Sequence, residues 1–260
     1  MDLQLNGRKA IVTGGTKGIG LAIAQTLARE GASVAICSRD AVAAQQTAAS
    51  LGALRNDDIG GNGVFLGEGV DVADGAALKA WVETVAQQWG GLDIVVANVS
   101  ALSIANDIAS WRKQFETDML GTVHLVDAAM PYLEASSAAS IIAISSVSGR
   151  EVDFAAGPYG TFKAALVHYI QGLAYQLAPK GIRANTVSPG NVYFEGGVWD
   201  WIEKNDPKLY ADSLALNPSK RMARPQEIAD AVAFMASPVA SFISGTNLVV
   251  DGALTRGVQL

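Results

Sequence analysis

Short apolar runs alternate with amphipathic segments along most of the chain. The runs have the length of buried strands, and the segments between them repeat their apolar positions at helical spacing. The pattern predicts strands at Lys9–Thr13, Ser33–Cys37, Val64–Val70, Asp93–Ala97, Ala139–Ser145, Ile182–Val187 and Asn247–Val250. It predicts helices at Leu21–Glu30, Ala41–Leu51, Gly75–Trp89, Trp111–Tyr132, Tyr159–Leu177 and Gln226–Met235. Strands separated by helices indicate an α/β fold, a parallel sheet with helices on both faces. No linker or repeat interrupts the pattern, so we expect one domain over residues 1–260, with a loop by composition at Asn56–Gly63.

Composition narrows the class of protein. Half of the 260 residues are hydrophobic and 17% are charged, which argues against disorder. The net charge of −6 argues against a broad nucleic-acid surface. No apolar run approaches the roughly 18 residues of a membrane span, and no export signal is visible. One cysteine, Cys37, and two histidines make a zinc site improbable. We therefore expect a cytoplasmic protein without a metal.

A glycine-rich segment joins the first strand to the first helix. It reads Thr13-Gly-Gly-Thr-Lys-Gly-Ile-Gly20, with the spacing T-G-x-x-x-G-x-G. Glycines let the backbone approach a pyrophosphate, and the helix N-terminus that follows offers free N–H groups. A plain strand-to-helix turn is the alternative, but the position in a βαβ unit favours a dinucleotide site. The predicted cofactor-binding residues in this segment are Gly14, Thr16, Lys17, Gly18, Ile19 and Gly20.

The end of the second strand indicates which dinucleotide binds. An NAD site usually has an acid there for the ribose 2′-hydroxyl, whereas this chain has Ser38 followed by Arg39. A guanidinium suits a 2′-phosphate, and Lys17 adds a second positive charge. The sequence therefore predicts NADP(H) over NAD(H). Arg39 as a solvated loop cation, or paired with Asp40, is the competing interpretation.

A serine, a tyrosine and a lysine form a second constellation. Tyr159 and Lys163 stand four residues apart on one helix face, and Ser146 follows a strand at the carboxyl edge of the sheet. An ammonium favours the phenolate form of a nearby tyrosine, which can then exchange a proton with an alcohol or carbonyl oxygen. A tyrosine and a lysine at this spacing are common by themselves, so the pair carries weight only with its context.

Together these motifs resemble the short-chain dehydrogenase/reductase (SDR) family, and within it the bacterial branch of 3-oxoacyl-acyl-carrier-protein reductases. The resemblance spans nearly the whole chain. It rests on Thr13–Gly20, Asp71-Val72, Ser146, Tyr159 with Lys163, and Ser188-Pro-Gly190. It implies a Rossmann-type doubly wound sheet of about seven strands, and a homotetramer or homodimer.

The resemblance also implies a role for each matching residue. Ser146 orients the substrate oxygen and Tyr159 is the general acid/base. Lys163 favours the phenolate and binds the nicotinamide ribose. The remaining expected cofactor contacts are Asp71 to the adenine amino group, Val72 beside the adenine ring, Asn98 through its backbone, and Pro189, Gly190 and Val192 at the nicotinamide.

The chain departs from the family pattern at several positions. After the fourth strand it reads Ala97-Asn-Val-Ser100, in which only Asn98 matches. Phe194 replaces a frequent threonine. Asp118 replaces the fourth catalytic residue, an asparagine that acts through its main-chain carbonyl. Because that carbonyl persists, we expect Asp118→Asn to be tolerated. The carboxylate either pairs with Lys163 or caps locally.

The predicted activity is an NADP(H)-dependent oxidoreductase that interconverts a secondary alcohol and a ketone. The substrate is a small molecule, apolar or ring-containing. A catalytically weak, NADP-binding sensor or scaffold is the alternative, favoured by Asp118 and Ala97. A third possibility within the enzyme class, an NAD-linked sugar or polyol dehydrogenase, rests on Asp40 alone. Residues 193–221 carry an unusual share of the aromatic side chains. They form either a hinged flap over the substrate or a subunit interface.

Overall fold

Seven parallel strands form one sheet in the computed structural model, which describes residues 1–54 and 63–258. The strand order is β3-β2-β1-β4-β5-β6-β7. The strands are β1 Lys9–Thr13, β2 Ser33–Ser38, β3 Phe65–Gly69, β4 Ile94–Ala97, β5 Ser140–Ile144, β6 Arg183–Pro189 and β7 Asn247–Val250. The predicted fold, a doubly wound parallel sheet, is confirmed. The predicted loop at Asn56–Gly63 lies, apart from Gly63, outside the described residues.

Helices cover both faces of the sheet. They are α1 Gly18–Arg29, α2 Ala41–Leu51, α3 Gly75–Trp89, α4 Ile108–Gln114, α5 Gly121–Leu133, α6 Pro158–Leu177, α7 Val198–Asn205, α8 Pro207–Leu216 and α9 Pro225–Ala236. Side chains of successive strand residues point to opposite faces. Ile11 accordingly belongs to the core under α3 and α5, while Val12 belongs to the core under α1 and α9. Strands buried on both faces read as unbroken apolar runs, which is why the sequence shows them clearly.

The predicted helix at Trp111–Tyr132 is wrong in its details. The chain enters α4 at Ile108, where the Asp107 carboxylate accepts a hydrogen bond of 2.8 Å from the Ser110 N–H. Between α4 and α5 lies a wider turn of π-type, Phe115–Leu120, hereafter the π-turn. A π-type turn contains one residue more than a turn of α-helix, and this small insertion barely changes the helical spacing of the apolar residues, so the sequence pattern does not reveal it. Such insertions in helices are frequent at functional sites, and Asp118 lies within this one.

The strand order reverses between β1 and β4, which are neighbours although β2 and β3 lie on one side and β5 to β7 on the other. In open parallel sheets, ligands bind in the crevice outside the carboxyl ends of the strands at such a switch point. Thr13 ends β1 and Ala97 ends β4. The glycine loop and Asn98 therefore start at this crevice.

Candidate active site

The glycine loop begins where β1 meets β2. The N–H of Gly14 donates a 2.9 Å hydrogen bond to the carbonyl of Cys37, and Gly14 and Gly18 both have left-handed φ angles of +67° and +55°. A Cβ at Gly20 would collide with the carbonyl oxygen of Gly14. Helix α1 starts at Gly18, earlier than predicted, and Lys17 precedes it without a side-chain cap among the described residues. The loop thus has the close backbone approach and the exposed helix N-terminus that suit a pyrophosphate.

Asn98 fastens this loop to the end of β4. Its side-chain Nδ2 donates to the carbonyls of Thr13 and Gly14 at 3.0 and 3.3 Å, and its main-chain N–H donates to Thr13 Oγ1 at 3.0 Å. Val99, one of the departures from the family, packs on the same loop, because a Cβ at Gly14 would lie 2.9 Å from Val99 Cγ2. The larger valine is accommodated without disturbing the role of Asn98.

Two cations flank the predicted 2′-phosphate position. Lys17 and Arg39 are both exposed, and neither side chain forms an ion pair or hydrogen bond with another described residue. Asp40 does not pair with Arg39. Its carboxylate instead caps α2 by accepting from the Ala43 N–H at 3.0 Å. Ser38 Oγ donates to the Asp40 carbonyl at 2.7 Å. The competing interpretation in which Asp40 neutralises Arg39 therefore receives no support.

The residues expected at the adenine follow β3. Asp71 is exposed, and its carboxylate accepts from the Ala73 N–H at 3.0 Å, which fixes the turn. Val72 is buried and lies against Gly121, where a Cβ would come within 3.1 Å of Val72 Cγ2. Cys37 is in the core as expected, and burial raises the pKa of its thiol to about 12.

Ser146 follows β5 and begins a short turn at Val147–Gly149. Its Oγ accepts a hydrogen bond from the Ser148 N–H at 3.2 Å. Two glycines let this turn lie directly on α6. A Cβ at Gly149 would lie 2.8 Å from the Lys163 backbone, and one at Gly160 would lie 2.7 Å from the Ser148 carbonyl. These close approaches place Ser146 beside the first turns of α6, and sequence reasoning missed both glycines.

Tyr159 and Lys163 lie on α6 as predicted. Lys163 Nζ is 5.6 Å from the centre of the Tyr159 ring. The Tyr159 side chain is half-buried, and its hydroxyl makes no hydrogen bond within the part of the chain that the structure describes. Lys163 is buried, and its Nζ donates to the Ile144 carbonyl at 3.0 Å. A half-buried phenol without a hydrogen-bond partner among the described residues, and a fixed ammonium near its ring, are groups suited to proton exchange.

Asp118 reaches Lys163 from the π-turn. The Oδ2 atom lies 3.0 Å from Nζ, and both side chains are almost completely inaccessible to solvent. Asp118 Oδ1 accepts a hydrogen bond of 2.8 Å from the Ala101 N–H. Of the two possibilities left open by the sequence, the carboxylate forms the ion pair. It also orders the segment after β4.

The segment after β6 carries the predicted nicotinamide contacts. Gly190 donates from its N–H to the Val250 carbonyl at 3.0 Å, and a Cβ there would lie 2.9 Å from Asp251. Val192 and Ala223 lie side by side in a parallel bridge. The Tyr193 N–H donates to the Ala223 carbonyl and the Ala223 N–H donates to the Asn191 carbonyl, so neither bond uses the N–H or carbonyl of Val192. Those groups remain available for a carboxamide.

Phe194 extends this segment over the glycine loop. A Cβ at Gly18 would lie 2.5 Å from Phe194 Cζ, and one at Gly197 would lie 2.9 Å from the same ring. Gly196 has a left-handed φ of +72° and starts the turn into α7. Helix α7 follows this turn, and α8 begins immediately after Asp206. The ring thus connects the cofactor loop with the start of the predicted flap.

The two tryptophans of α7 differ sharply in exposure. Trp199 is 5% exposed, whereas Trp201 is 61% exposed. The Trp199 ring packs edge-to-face on Phe154 with 5.9 Å between centroids. Phe154 belongs to the loop between Ser146 and Tyr159 and is itself half exposed. An aromatic contact therefore connects the predicted flap to the segment that precedes Tyr159.

No group of three or more histidine, cysteine, aspartate or glutamate side chains among the described residues could hold a metal ion. None of the helices within 1–54 and 63–258 is both long and apolar enough to cross a bilayer.

The fold and the crevice define a dinucleotide-dependent oxidoreductase, and comparison with known proteins gives the family. A family model described as "Enoyl-(Acyl carrier protein) reductase" matches residues 14–255. Isoepoxydon dehydrogenase patN of Penicillium expansum is 38% identical, covering 98% of this chain and 97% of the relative. Cis-4-hydroxycyclohexanecarboxylate dehydrogenase of Sinomonas cyclohexanicum is 32% identical, covering 95% and 96%. The chain belongs to the short-chain dehydrogenase/reductase family.

Solved structures agree with this assignment. A 7α-hydroxysteroid dehydrogenase complexed with NADH and 7-oxo glycochenodeoxycholic acid superposes with a TM-score of 0.86 at 29% identity, covering 97% of this chain and 96% of the other. L-Sorbose reductase from Gluconobacter frateurii, complexed with NADPH and L-sorbose, also has a TM-score of 0.86, at 27% identity and with coverage of 99% and 100%. A nicotinamide cofactor is thus common to these neighbours, in both its phosphorylated and unphosphorylated forms.

The contact between α6 and the turn after Ser146 gives a stability prediction. Gly160→Ala should destabilise the protein by about 1–3 kcal/mol, because the added methyl meets a backbone carbonyl that cannot move away. Gly172→Ala, on the same helix but with no neighbouring atom within 4 Å, should stabilise it by about 0.5–1 kcal/mol through helix propensity. Equilibrium urea unfolding measures both. Equal effects of the two substitutions would contradict the close approach.

Proposed function

We propose that the protein is an NADP(H)-dependent oxidoreductase that interconverts a secondary alcohol and a ketone, with Tyr159 as general acid/base. The observation that carries this proposal is the half-buried Tyr159 phenol with the buried Lys163 ammonium 5.6 Å from the centre of its ring. Bound in the crevice, the nicotinamide supplies or accepts the hydride. The residues of the chain are left to move one proton and to hold the substrate oxygen.

Each side chain has a separate task in this reaction. Tyr159 gives its proton to the ketone oxygen during reduction and takes it from the alcohol during oxidation. Ser146, held by the turn that it caps, donates a hydrogen bond to the same oxygen. Lys163 binds the nicotinamide ribose and favours the phenolate that oxidation requires.

The remaining assigned contacts surround these groups. Gly14, Gly18 and Gly20 shape the pyrophosphate cradle together with Thr16 and Ile19. Asp71, Val72 and Asn98 hold the adenosine end, and Pro189, Gly190 and Val192 hold the nicotinamide end. The cradle fits the group, because a Cβ at any of the three glycines would meet neighbouring atoms at close range.

The preference for NADP(H) rests on charge. The side chains of Lys17 and Arg39 are exposed and have no ion pair or hydrogen bond within residues 1–54 and 63–258, and Ser38 stands where an acid would repel a 2′-phosphate. Neighbouring structures contain both forms of the cofactor, so the preference belongs to this chain's own residues.

The substrate class is a small, apolar ring that carries one hydroxyl or keto group. Phe154 and Trp199 offer an aromatic wall beside the crevice, and one relative is named for a hydroxycyclohexane carboxylate. The segment at 193–221 acts as the flap.

We also propose a homotetramer or homodimer, since Tyr175 and Phe242 are 87% and fully exposed and would be covered by a second copy.

Tyr159→Phe should abolish turnover while NADPH still binds, because the variant loses only the proton donor. Ketone-dependent oxidation of NADPH measures turnover, and quenching of protein fluorescence measures binding. Tyr175→Phe, an exposed tyrosine on the same helix, is the control and should retain full activity. Appreciable turnover by Tyr159→Phe at neutral pH would assign the proton to another group.

The wild-type protein should have a higher kcat/KM with NADPH than with NADH. Ser38→Asp should reverse the preference, because the new carboxylate repels the 2′-phosphate and can bind the ribose hydroxyls. Steady-state kinetics with both cofactors at one fixed ketone concentration measures the ratio. A wild-type preference for NADH would overturn the assignment of Lys17 and Arg39.

Trp199→Ala should raise KM for bulky ring ketones more than for small ones, since the lost contact scales with apolar area. Trp201→Ala is the matched control and should leave both values unchanged, because its ring faces solvent. The fluorescence of Trp199 should also change when NADPH and ketone bind together. Equal effects of Trp199→Ala on bulky and small ketones would favour the subunit-interface interpretation.

A further inference from the structure

A carboxylate lies where no solvent reaches it. Asp118 is 0% exposed, and the π-turn directs its side chain inward. Oδ1 is satisfied by the Ala101 N–H at 2.8 Å. Oδ2 makes no regular hydrogen bond within the described residues. Its negative charge is compensated by the ammonium of Lys163, whose Nζ lies 3.0 Å away. A buried carboxylate with one oxygen committed to a single cation depends on that cation for its ionised form.

Lys163 is equally constrained. The side chain is 3% exposed, and its Nζ also donates to the Ile144 carbonyl of β5 at 3.0 Å. The main-chain carbonyl of Lys163 accepts from Ser145 Oγ at 2.8 Å. Ile144 at the end of β5 and the adjacent Ser145 therefore fix both ends of this residue, and among the described residues Asp118 supplies the one opposite charge at contact distance.

The charged neighbours of Nζ come from a small number of elements. The π-turn contributes the Asp118 carboxylate, and α6 itself contributes the Tyr159 phenol. Strand β5 contributes the Ile144 carbonyl, and the turn Val147–Gly149 has no titratable side chain. Burial opposes the charge on Lys163, but Asp118 and then Tyr159 more than offset it, so the pKa of Lys163 lies above its ordinary value.

The main-chain carbonyl of Asp118 has a partner of its own. It accepts a hydrogen bond of 2.6 Å from Thr122 Oγ1. One of its lone pairs is thus used within the helix, and the direct link to Lys163 runs through the carboxylate. The expectation that Asp118→Asn is tolerated rested on the carbonyl alone, and the buried pair changes it.

We propose that Asp118 is a positioning residue whose carboxylate compensates the buried charge of Lys163 and holds its ammonium 5.6 Å from the centre of the Tyr159 ring. This inference rests on the proposed function, since Lys163 is assigned there to the ribose and the phenolate. It goes beyond that function because it gives the carboxylate a task that the resembling family assigns to no side chain at this position.

Asp118→Asn isolates the charge. The amide retains an oxygen for the Ala101 N–H and nearly the same volume, while the burial of Lys163 persists without an anion beside it. A buried lysine without a partner loses its proton well below its ordinary pKa. Glu116→Gln is the matched control, because Glu116 lies on the same π-turn, carries the same charge and is exposed.

Thermal unfolding of the cofactor-free protein from about pH 7 to about pH 10 tests the pair without any substrate. In the wild-type protein the raised pKa of Lys163 contributes stability that is lost only above this window. In Asp118→Asn the lowered pKa costs stability at neutral pH, and the cost diminishes as the lysine loses its proton. The difference in Tm should therefore be largest near pH 7 and narrow toward pH 10. A difference that stays constant, or one that Glu116→Gln reproduces, would overturn the proposal.

A second variant distinguishes the loss of charge compensation from a general folding defect in Asp118→Asn. Asp118→Asn/Lys163→Met removes both charges and should melt at a higher temperature than Asp118→Asn, because no unpaired charge is buried. If the double variant is no more stable than the single variant, Asp118 acts by packing and the proposal fails.

Binding of NADPH gives the functional readout. The Kd of Asp118→Asn for NADPH should increase over the wild-type value progressively from about pH 7 to about pH 10, as Lys163 loses its charge. A purely structural role would weaken binding by the same factor at every pH, and that result would overturn the proposal. If the wild-type protein does not bind NADPH at all, the proposed function fails, while the unfolding measurements still decide the role of Asp118.

Discussion

The ammonium of Lys163 is buried, and the charge of a buried ammonium must be compensated within the protein. The Ile144 carbonyl and the Asp118 carboxylate, each 3.0 Å away, provide that compensation. This requirement links three elements that are distant in the sequence: β5, the π-turn and α6. Tyr159 is held one helical turn before Lys163, so the position of the phenol depends on the same contacts. Removing either charged member of the Asp118–Lys163 pair leaves the other as an unpaired buried charge, whose cost is several kcal/mol.

The topology of the sheet brings the rest of the site to this point. Parallel strands end at one edge, and the order reverses between β1 and β4. Asn98 uses that juxtaposition to hold the glycine loop. Gly149 and Gly160 then let the turn after β5 lie against α6 at distances that a Cβ would forbid. Two kinds of constraint, buried polar bonds and missing side chains, thus determine the geometry of the crevice.

Much of this could be read from the sequence. Strands buried on both faces are continuous apolar runs, and the glycine loop and the Tyr159–Lys163 spacing are local, so each was found. The π-turn was missed, because a single inserted residue leaves the helical apolar pattern almost unchanged. The sequence did not decide which residue Asp118 contacts. Its partner Lys163 is 45 positions away in the chain, and the contact depends on the direction in which the π-turn points the Asp118 side chain. The difference between Trp199 and Trp201 likewise follows from tertiary packing alone.

The central claim is that this crevice performs catalysis and does not merely bind a nucleotide. The most direct measurement is the loss of NADPH absorbance during incubation with a panel of small cyclic ketones, alongside fluorescence titration of NADPH on the same sample. The account predicts saturable NADPH oxidation with at least one cyclic ketone, and the formation of the corresponding secondary alcohol in equal amount. Tight NADPH binding without consumption across the whole panel, or turnover that survives in Tyr159→Phe, would contradict it.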